Sequence, residues 1–278
     1  MPKKLLIISI FLLVLIGCNN ETLNEAKFAT LKKTEHVIKQ LPNPPETTIQ
    51  IEDFQRNTSE WGENVTGVKH RFQTNKQQIA LTFDACGGPN GSQYDEELIS
   101  FLIEEKIPAT LFVNEQWILA NEALFLTLAE EPLFQIENHG TDHLPLSVNG
   151  GEAWGIPATT SAEAAYEEIM GNHETVRELI GKEMKYFRSG TAYYDEVAVE
   201  LANALGYQVV NYDILGDAGA TFTSTQVENA LLQAEAGSIA LLHMNQPQSG
   251  TAEGVINAVP KLLEQGFEFV RLDEITLK

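Results

Sequence analysis

From Gln78 onward, short apolar runs rich in β-branched and aromatic residues alternate with longer segments of helical periodicity. The predicted strands are Gln78–Phe83, Ala109–Val113, Phe134–Asn138, Lys185–Arg188, Gln208–Tyr212, Ser238–Leu242 and Glu268–Arg271. The predicted helices are Tyr94–Glu105, Asn121–Glu130, Ser161–Ile180, Asp195–Leu205, Thr225–Ala234 and Thr251–Gln265. Strands that alternate with helices are typical of βα units, and the pattern therefore predicts an α/β fold with a parallel sheet.

Several predicted helices carry recognisable end signals. Thr160–Glu163 and Thr225–Glu228 have the spacing of capping boxes. Gly181 and Gly206 stand where a helix would end in a left-handed residue. Asp95, which precedes two glutamates, is expected to cap the N-terminus of its helix.

Polar residues stand at or just after the ends of different predicted strands, and they decide between two α/β architectures. They are Asp84, His139, Arg188, Asp213 and His243. In an open sheet, strands at opposite edges would hold such residues too far apart to share one site, whereas a barrel brings all strand ends to one mouth. We therefore predict a distorted (β/α) barrel of about seven parallel strands.

The first residues have the features of an export signal. Lys3 and Lys4 are followed by the apolar run Leu5–Ile16, which is too short to span a bilayer. The run ends at Gly17-Cys18, which resembles the lipobox of bacterial lipoproteins, where the cysteine becomes the lipidated first residue of the mature chain. We expect an exported bacterial protein anchored to the cell membrane through a lipid on Cys18; an ordinary secretory signal is the alternative.

The chain is predicted to have three parts. Residues 1–17 form the lipoprotein signal peptide, residues 18–75 a tether that includes a short helix over Glu25–Gln40, and residues 76–278 one catalytic domain. The net charge of −21 argues against nucleic acid as a partner. The sequence has two cysteines, Cys18 and Cys86, so lipidation of the first leaves the second without a disulfide partner.

Two of the strand-end residues, together with His143, suggest a metal site. His139 and His143 are separated by three residues, which on a helical turn or in a tight loop lets two imidazoles bind one divalent metal. Two surface histidines are the simpler explanation of this spacing. Asp84 would serve as a metal ligand, a general base or both, and its alternative is a carboxylate that caps the next loop. Burial of the preceding strand would raise the pKa of Asp84.

Two further strand-end residues suit roles beside that site. His243 follows an apolar strand and suits a general acid that protonates a leaving amine, although a core histidine bonded to the backbone fits as well. Arg188 would hold Asp84 through a bidentate contact, or form a structural ion pair. Asp213 and Asp217 are weaker candidates for orienting these groups. Together, the strand-end residues suit metal-assisted hydrolysis.

Five motifs occur in an order that resembles the polysaccharide deacetylase family, whose domain is also called the NodB-homology domain or carbohydrate esterase family four. They are Thr82-Phe83-Asp84, His139–His143, Arg188, Tyr212-Asp213 with Asp217, and Leu241-Leu242-His243. The likeness runs from about residue 78 to 275 and includes a final helix and strand over Ala258–Val270.

The resemblance implies a metal-dependent hydrolase that acts on carbon–nitrogen bonds other than peptide bonds and removes N-acetyl groups from amino sugars. Zinc is the usual divalent metal of the family. By resemblance, His139 and His143 are metal ligands, Asp84 is the base, Arg188 positions the base, and His243 is the acid.

The chain departs from the family where a second acid is usual. In the family that acid follows the first and binds the metal, but here the position is Ala85, and Cys86 comes next. The metal would then be held by His139, His143 and either Asp84 or Cys86. We take Asp84 as the third ligand, since a cysteine at such a place is more often a packed small hydrophobe, although a thiolate is a normal ligand of zinc.

The sequence therefore favours a lipid-anchored, metal-dependent N-deacetylase of N-acetylated polysaccharide from the cell wall or another extracellular glycan. Loss of the second acid favours a non-catalytic glycan-binding lipoprotein of the same fold, which retention of both histidines, Arg188 and His243 opposes. A second alternative is an amidohydrolase of this fold that acts on a small amide. A narrow pocket would favour that alternative, and a polymer cleft would not.

Overall fold

The computed structural model describes residues 49–278, and these residues pack as one unit. The predicted signal peptide, the predicted lipidation site Cys18 and the predicted helix Glu25–Gln40 lie outside the described residues. Within residues 49–278, no helix combines the length and the apolar character that crossing a bilayer requires. The division of the chain into three parts stays a prediction.

A curved parallel sheet forms the centre of the fold. In chain order, the strands are β1 (Phe72–Gln73), β2 (Gln78–Ala85), β3 (Ala109–Val113), β4 (Phe134–Asn138), β5 (Glu152–Ala153), β6 (Ile156–Pro157), β7 (Tyr186–Phe187), β8 (Gln208–Val209), β9 (Ile214–Leu215), β10 (Ser238–His243), β11 (Glu268–Phe269) and β12 (Thr276–Leu277). Seven of them follow one another in the parallel order β8-β7-β4-β3-β2-β10-β9, and β11 pairs in parallel with the start of β2. Outside this sheet, β1 pairs with β12 and β5 with β6, both antiparallel.

Helices cover the outer face of the sheet. They are α1 (Glu96–Glu104), α2 (Glu115–Ala120), α3 (Glu122–Glu130), α4 (Ala162–Ile180), α5 (Glu196–Ala204), α6 (Ser224–Leu231) and α7 (Thr251–Glu264), with 3-10 turns at Ile51–Phe54 and Leu272–Glu274. Leu81 and Phe83 of β2 share one hydrophobic core with Leu98 and Leu102 of α1. Burial of this apolar layer is the main force that holds the helices against the strands.

The inner face of the sheet has a core of its own. Side chains alternate along a strand, so the residues of β2 that alternate with Leu81 and Phe83 face the inside of the curved sheet. Ala80 packs there in a second hydrophobic cluster with Phe112 and Ile239. Thr82 and Asp84 follow on the same face towards the carboxyl end of β2. The interior therefore begins with an apolar cluster and carries Asp84 at its mouth.

The N-terminal part of the described chain completes the wall of this barrel. Isolated bridges join Lys69 to Val210, beside β8, and Arg71 to Ser238, at the start of β10. Immediately afterwards, β1 forms its antiparallel pair with β12, the last strand. We call residues 69–73 the seam segment. The prediction of a distorted (β/α) barrel with about seven parallel strands is confirmed, and the seam segment occupies the place of a further strand.

Several element bounds differ from the prediction. The sequence pattern missed the six-residue helix α2 and five strands of two residues each, because such short elements show no periodicity. These strands are β1, β5, β6, β9 and β12. The capping box of α6 consists of Thr223 and Gln226 and does not begin at Thr225. The residue that caps α4 is Ser161, one position after Thr160. In both helices a neighbouring serine or threonine provides the capping hydroxyl. The backbone conformation at the start of the helix determines which of them is used.

Glu137 is a buried acid on the inner face of β4. Its carboxylate accepts hydrogen bonds from the amides of Lys185 and Tyr186 and from the side chain of Gln135. Burial nevertheless raises the pKa of Glu137 from 4.5 to about 7. Because the folded chain holds this proton to a higher pH, the resulting contribution to the free energy of unfolding is complete below the unfolded pKa and is lost as the pH rises through the folded pKa.

We expect the free energy of unfolding of the wild-type chain, taken relative to Glu137→Gln, to fall by about 2 kcal/mol between about pH 5 and about pH 8. Glutamine is uncharged throughout, so the variant lacks this titration while it keeps an acceptor oxygen. Urea unfolding of both chains at the two pH values measures the difference. A difference that is independent of pH would contradict the raised pKa.

Candidate active site

Asp84 and Arg188 form a buried ion pair at the mouth of the barrel. Asp84 stands near the end of β2 and is 3% exposed, and Arg188 directly follows β7 and is fully buried. Arg188 Nη1 donates to Asp84 Oδ1 over 2.8 Å and to Thr82 Oγ1 over 2.9 Å. Its Nε and Nη2 donate to the main-chain oxygens of Val210 and Asn211. The arginine therefore reaches the carboxylate through one nitrogen, and not through the bidentate contact that we expected, while its other donors fix the guanidinium.

The pKa of Asp84 is lowered, which corrects the prediction that burial would raise it. Burial does act in that direction, but the positive charge of Arg188 and those of His139 and His243 outweigh it. The sequence shows that the strand is buried, but it does not show that an arginine 104 residues later lies against its end. The carboxylate is thus ionised at neutral pH, as a base or a metal ligand must be.

The two predicted histidines and Cys86 meet beside this pair. His139 is 1% exposed and its Nδ1 donates to the main-chain oxygen of Arg188 over 2.9 Å. Its Nε2 lies 3.9 Å from Cys86 Sγ and 3.7 Å from Asp84 Oδ2. The ring of His143 stands nearly perpendicular to that of His139, with centroids 5.0 Å apart. Ligand atoms of Cys86, His139 and His143 all lie within 4.8 Å of one another.

These residues fit a divalent metal. The Nε2 of His143 is buried and has no hydrogen-bond partner, and a bound metal would satisfy it. The Nδ1 of His139 donates to a main-chain carbonyl, and metal-bound histidines are usually oriented by such a hydrogen bond. Two imidazoles with a carboxylate or a thiolate are a donor set that zinc accepts. The site residues therefore lie where the sequence predicts a metal site, and their roles stay predictions.

The loop that carries His143 is held by groups that the sequence did not reveal. Glu168 of α4 is buried, and its carboxylate accepts the amides of Asp142 over 2.9 Å and Leu144 over 3.0 Å. Gly190 packs so closely on this loop that a Cβ would lie 2.3 Å from the backbone of His143. In the sequence, Glu168 is one of many acids on an amphipathic helix, so its position gives no signal of this role.

His243, at the end of β10, is oriented by a buried acid. Its Nδ1 lies 2.9 Å from Asp217 Oδ1, and its main-chain amide donates to Oδ2 of the same carboxylate over 2.7 Å. Burial opposes a charge on this imidazole, but Asp217 and Cys86 together raise the pKa of His243 well above its ordinary value. Asp213 lies elsewhere, in an ion pair with Arg71 of the seam segment. Of the two weaker candidates, Asp217 is the one that touches a site residue.

We expect Asp217→Asn to lower kcat by roughly 10²-fold and to move the alkaline limb of the pH–rate profile to lower pH. Asp217 raises the pKa of His243, so loss of its charge lets the imidazole release its proton at a lower pH. The pH–rate profiles of hydrolysis by the two chains measure both effects. If Asp217 had only a structural role, activity would fall by the same factor at every pH.

The site opens into a cavity of about 630 Å³, whose lining includes Asp84, Cys86, His143 and His243. The hairpin β5–β6 brings Trp154, which is 74% exposed, to the wall of this cavity. Trp154 meets Tyr193 edge-on with ring centroids 5.8 Å apart, and Trp61 contacts the same tyrosine at the same distance. We call Trp61, Tyr193 and Trp154 the aromatic rim. An exposed aromatic group beside a polar site is typical of a ligand-binding surface.

A (β/α) barrel whose mouth holds a histidine pair, an ionised buried carboxylate and an acid-oriented histidine is suited to metal-assisted hydrolysis. The family model for polysaccharide deacetylases matches residues 71–210, about half of the chain. The chain belongs to the polysaccharide deacetylase family, whose members are hydrolases that act on carbon–nitrogen bonds other than peptide bonds.

Individual relatives agree with this assignment. A peptidoglycan-N-acetylglucosamine deacetylase of Bacillus cereus is 26% identical over 212 residues, which cover 75% of this chain and 92% of the relative. The structure of a family 4 carbohydrate esterase from Bacillus anthracis is 27% identical, with a TM-score of 0.57, and the match covers 75% of this chain and 86% of the other. A family 4 pseudoenzyme from Bacillus anthracis has the same fold, with a TM-score of 0.63 at 17% identity over 75% of this chain and 68% of its own.

Proposed function

We propose that this protein is a zinc-dependent N-deacetylase of N-acetylated amino-sugar polysaccharide, and that peptidoglycan is its substrate class. The observation that carries the proposal is the convergence of an ionised Asp84, the imidazoles of His139 and His143, and a charged His243 at one cavity. The Bacillus cereus relative is named for deacetylation of peptidoglycan N-acetylglucosamine, and this supports the choice of substrate.

The residues of the site take two different parts in the proposed reaction, that of a base and that of an acid. A metal bound by His139 and His143 would supply Lewis acidity towards the acetyl carbonyl. Asp84 removes a proton from the attacking water, and Arg188 keeps that carboxylate charged and in place. His243, whose Nδ1 is held by Asp217, presents Nε2 as the nitrogen that can give a proton to the leaving amine.

The form of the site supports a polymer substrate over a small amide. The cavity of about 630 Å³ exceeds what a single acetamide group would fill. The aromatic rim extends the site outward, and its exposed ring of Trp154 offers an apolar face to a neighbouring sugar of a chain. A protein specific for a small amide would need no such surface.

Acetate release by the purified protein tests the proposal. We expect release from peptidoglycan and from N-acetylated chitooligosaccharides, loss of activity with a chelator, and recovery with added zinc. Free N-acetylglucosamine should be a poor substrate. Activity confined to a small amide would favour the amidohydrolase alternative, and glycan binding with no acetate release would favour the non-catalytic one.

We propose further that the protein is exported and held at the cell membrane by a lipid on Cys18, because Gly17-Cys18 follows an apolar run of suitable length. Cys18→Ala should shift the protein from the membrane fraction to the medium or leave an unprocessed precursor. Fractionation and mass spectrometry of the N-terminal peptide measure the result. An unchanged membrane fraction and an unmodified cysteine in the wild-type peptide would contradict the proposal.

A further inference from the structure

Cys86 has an environment unlike that of a cysteine packed in a core. It follows β2 directly, lines the cavity, and is a free thiol. Its Sγ lies 3.9 Å from His139 Nε2. Its neighbour Ala85 instead packs in the hydrophobic core between the sheet and the helices. The turn after β2 therefore places the sulfur beside the histidine pair.

Two groups compete for the place of a third metal ligand, and their other contacts differ. Asp84 Oδ1 is bonded to Arg188 Nη1, and its Oδ2 lies 3.7 Å from His139. Cys86 is the one that combines with both His139 and His143 into a set whose ligand atoms lie within 4.8 Å of one another. One oxygen of the carboxylate is thus held by the arginine, and the thiol is the group that lies near both imidazoles.

The ligand atoms lie near the separations that bonds to one zinc ion would require. Zinc bonds of the usual lengths place a sulfur about 3.6 Å and a second nitrogen about 3.3 Å from a given imidazole nitrogen. Cys86 Sγ and His139 Nε2 are 3.9 Å apart, and no pair in the set exceeds 4.8 Å. A second observation points to a ligand independently of the cysteine, since the buried Nε2 of His143 has no hydrogen-bond partner.

We infer that the thiolate of Cys86 is the third protein ligand of the metal, beside His139 and His143, and that Asp84 is thereby left free to act as the base. This inference rests on the proposed metal-dependent function of the same site. On binding, the thiol releases its proton to solvent and the sulfur lone pair forms the bond to the metal. A donor set with one thiolate favours zinc and cobalt over manganese and magnesium.

Cobalt substitution tests the inference without a need for activity. The full chain with Cys18→Ser contains Cys86 as its remaining thiol, and Cys18→Ser is also the matched control for loss of a sulfur. Loaded with Co²⁺ under reducing conditions, it should show a thiolate-to-cobalt charge-transfer band in the near ultraviolet. The band should vanish in the double variants that add Cys86→Ser or Cys86→Asp.

Metal affinity, measured by competition with a chromophoric chelator, gives the second readout. Cys86→Ser should weaken zinc binding by at least roughly 10²-fold. This is the upper end of the loss caused by removing a residue that only hydrogen-bonds to a metal ligand. Cys86→Asp should recover part of the affinity and reduce the preference for zinc over manganese.

The outcomes separate this inference from the proposed function. Cobalt binding without the band, together with unchanged zinc affinity in Cys86→Ser, would overturn the cysteine ligand, and the proposed function would stand if acetate is still released. A band in a protein that releases no acetate would support the ligand and defeat the proposed function. A wild-type chain that binds neither metal would overturn both. If Cys86→Ser fails to fold, the band of the Cys18→Ser chain alone decides.

Discussion

Asp84→Asn will lower kcat for acetate release by about 10²–10⁴-fold and will leave the metal content unchanged, if Asp84 is the base. Asparagine keeps an oxygen that can accept from Arg188 Nη1, so the geometry of the site is preserved while the proton acceptor is lost. The melting temperature will also fall, because Arg188 is fully buried and loses the charge that compensates its own. The assay is therefore run well below the melting point, with metal content measured on the same sample.

The same change at an exposed acid is the control. Asp53 stands in the first 3-10 turn and is exposed, so Asp53→Asn should leave kcat, metal content and stability unchanged. Loss of metal together with activity in Asp84→Asn would make Asp84 a ligand. Full activity of that variant would exclude both roles and would refute this description of the site.

Replacement of His139 and His143 by alanine will abolish stoichiometric metal binding and, with it, deacetylation. Each imidazole must be neutral to bind, so the metal affinity of the wild-type chain should also fall as the solution becomes acidic. Burial lowers the pKa of His139, but Asp84 and Cys86 outweigh burial and raise it, so protonation of this imidazole should begin to weaken metal binding above its ordinary pKa. Elemental analysis and chelator competition over a pH series measure both effects.

The fold should survive the double substitution, because the hydrophobic core between sheet and helices does not include the histidine side chains. His173→Ala is a suitable control, since that ring lies on α4 against the hydroxyl of Tyr207 and away from the metal site. It should retain full metal content. A double variant that still binds one equivalent of metal would show that the site lies elsewhere.

Sequence patterns were sufficient for the architecture where the strands are buried on both faces. The bounds of β3 and β4 agree with the prediction. The run Ala109–Val113 is almost wholly apolar, as in a strand covered on both faces, whereas β4 alternates apolar and polar residues. The two-residue β9 is too short to give such a pattern. Glu268–Arg271, which was one of the seven predicted strands, contains a short strand that pairs with the start of β2. The barrel was predictable because polar residues stood at several strand ends at once.

The sequence predicts those features of the site that depend on one residue and its neighbours along the chain. The positions of Asp84, His139 and His243 at strand ends are such features. The direction of the pKa of Asp84 was not, because it depends on a guanidinium more than a hundred residues away. The choice of Asp217 over Asp213, and the support that Glu168 gives to the histidine loop, likewise depend on contacts between elements distant along the chain.

The seam segment makes the folded barrel depend on contacts between residues that are far apart along the chain. Lys69 forms a bridge with Val210, and Arg71 forms one with Ser238, so each contact closes a loop of more than a hundred residues. Closing such long loops costs conformational entropy before the contacts repay it. We therefore expect the seam contacts to form late in folding, after the neighbouring parallel strands have paired.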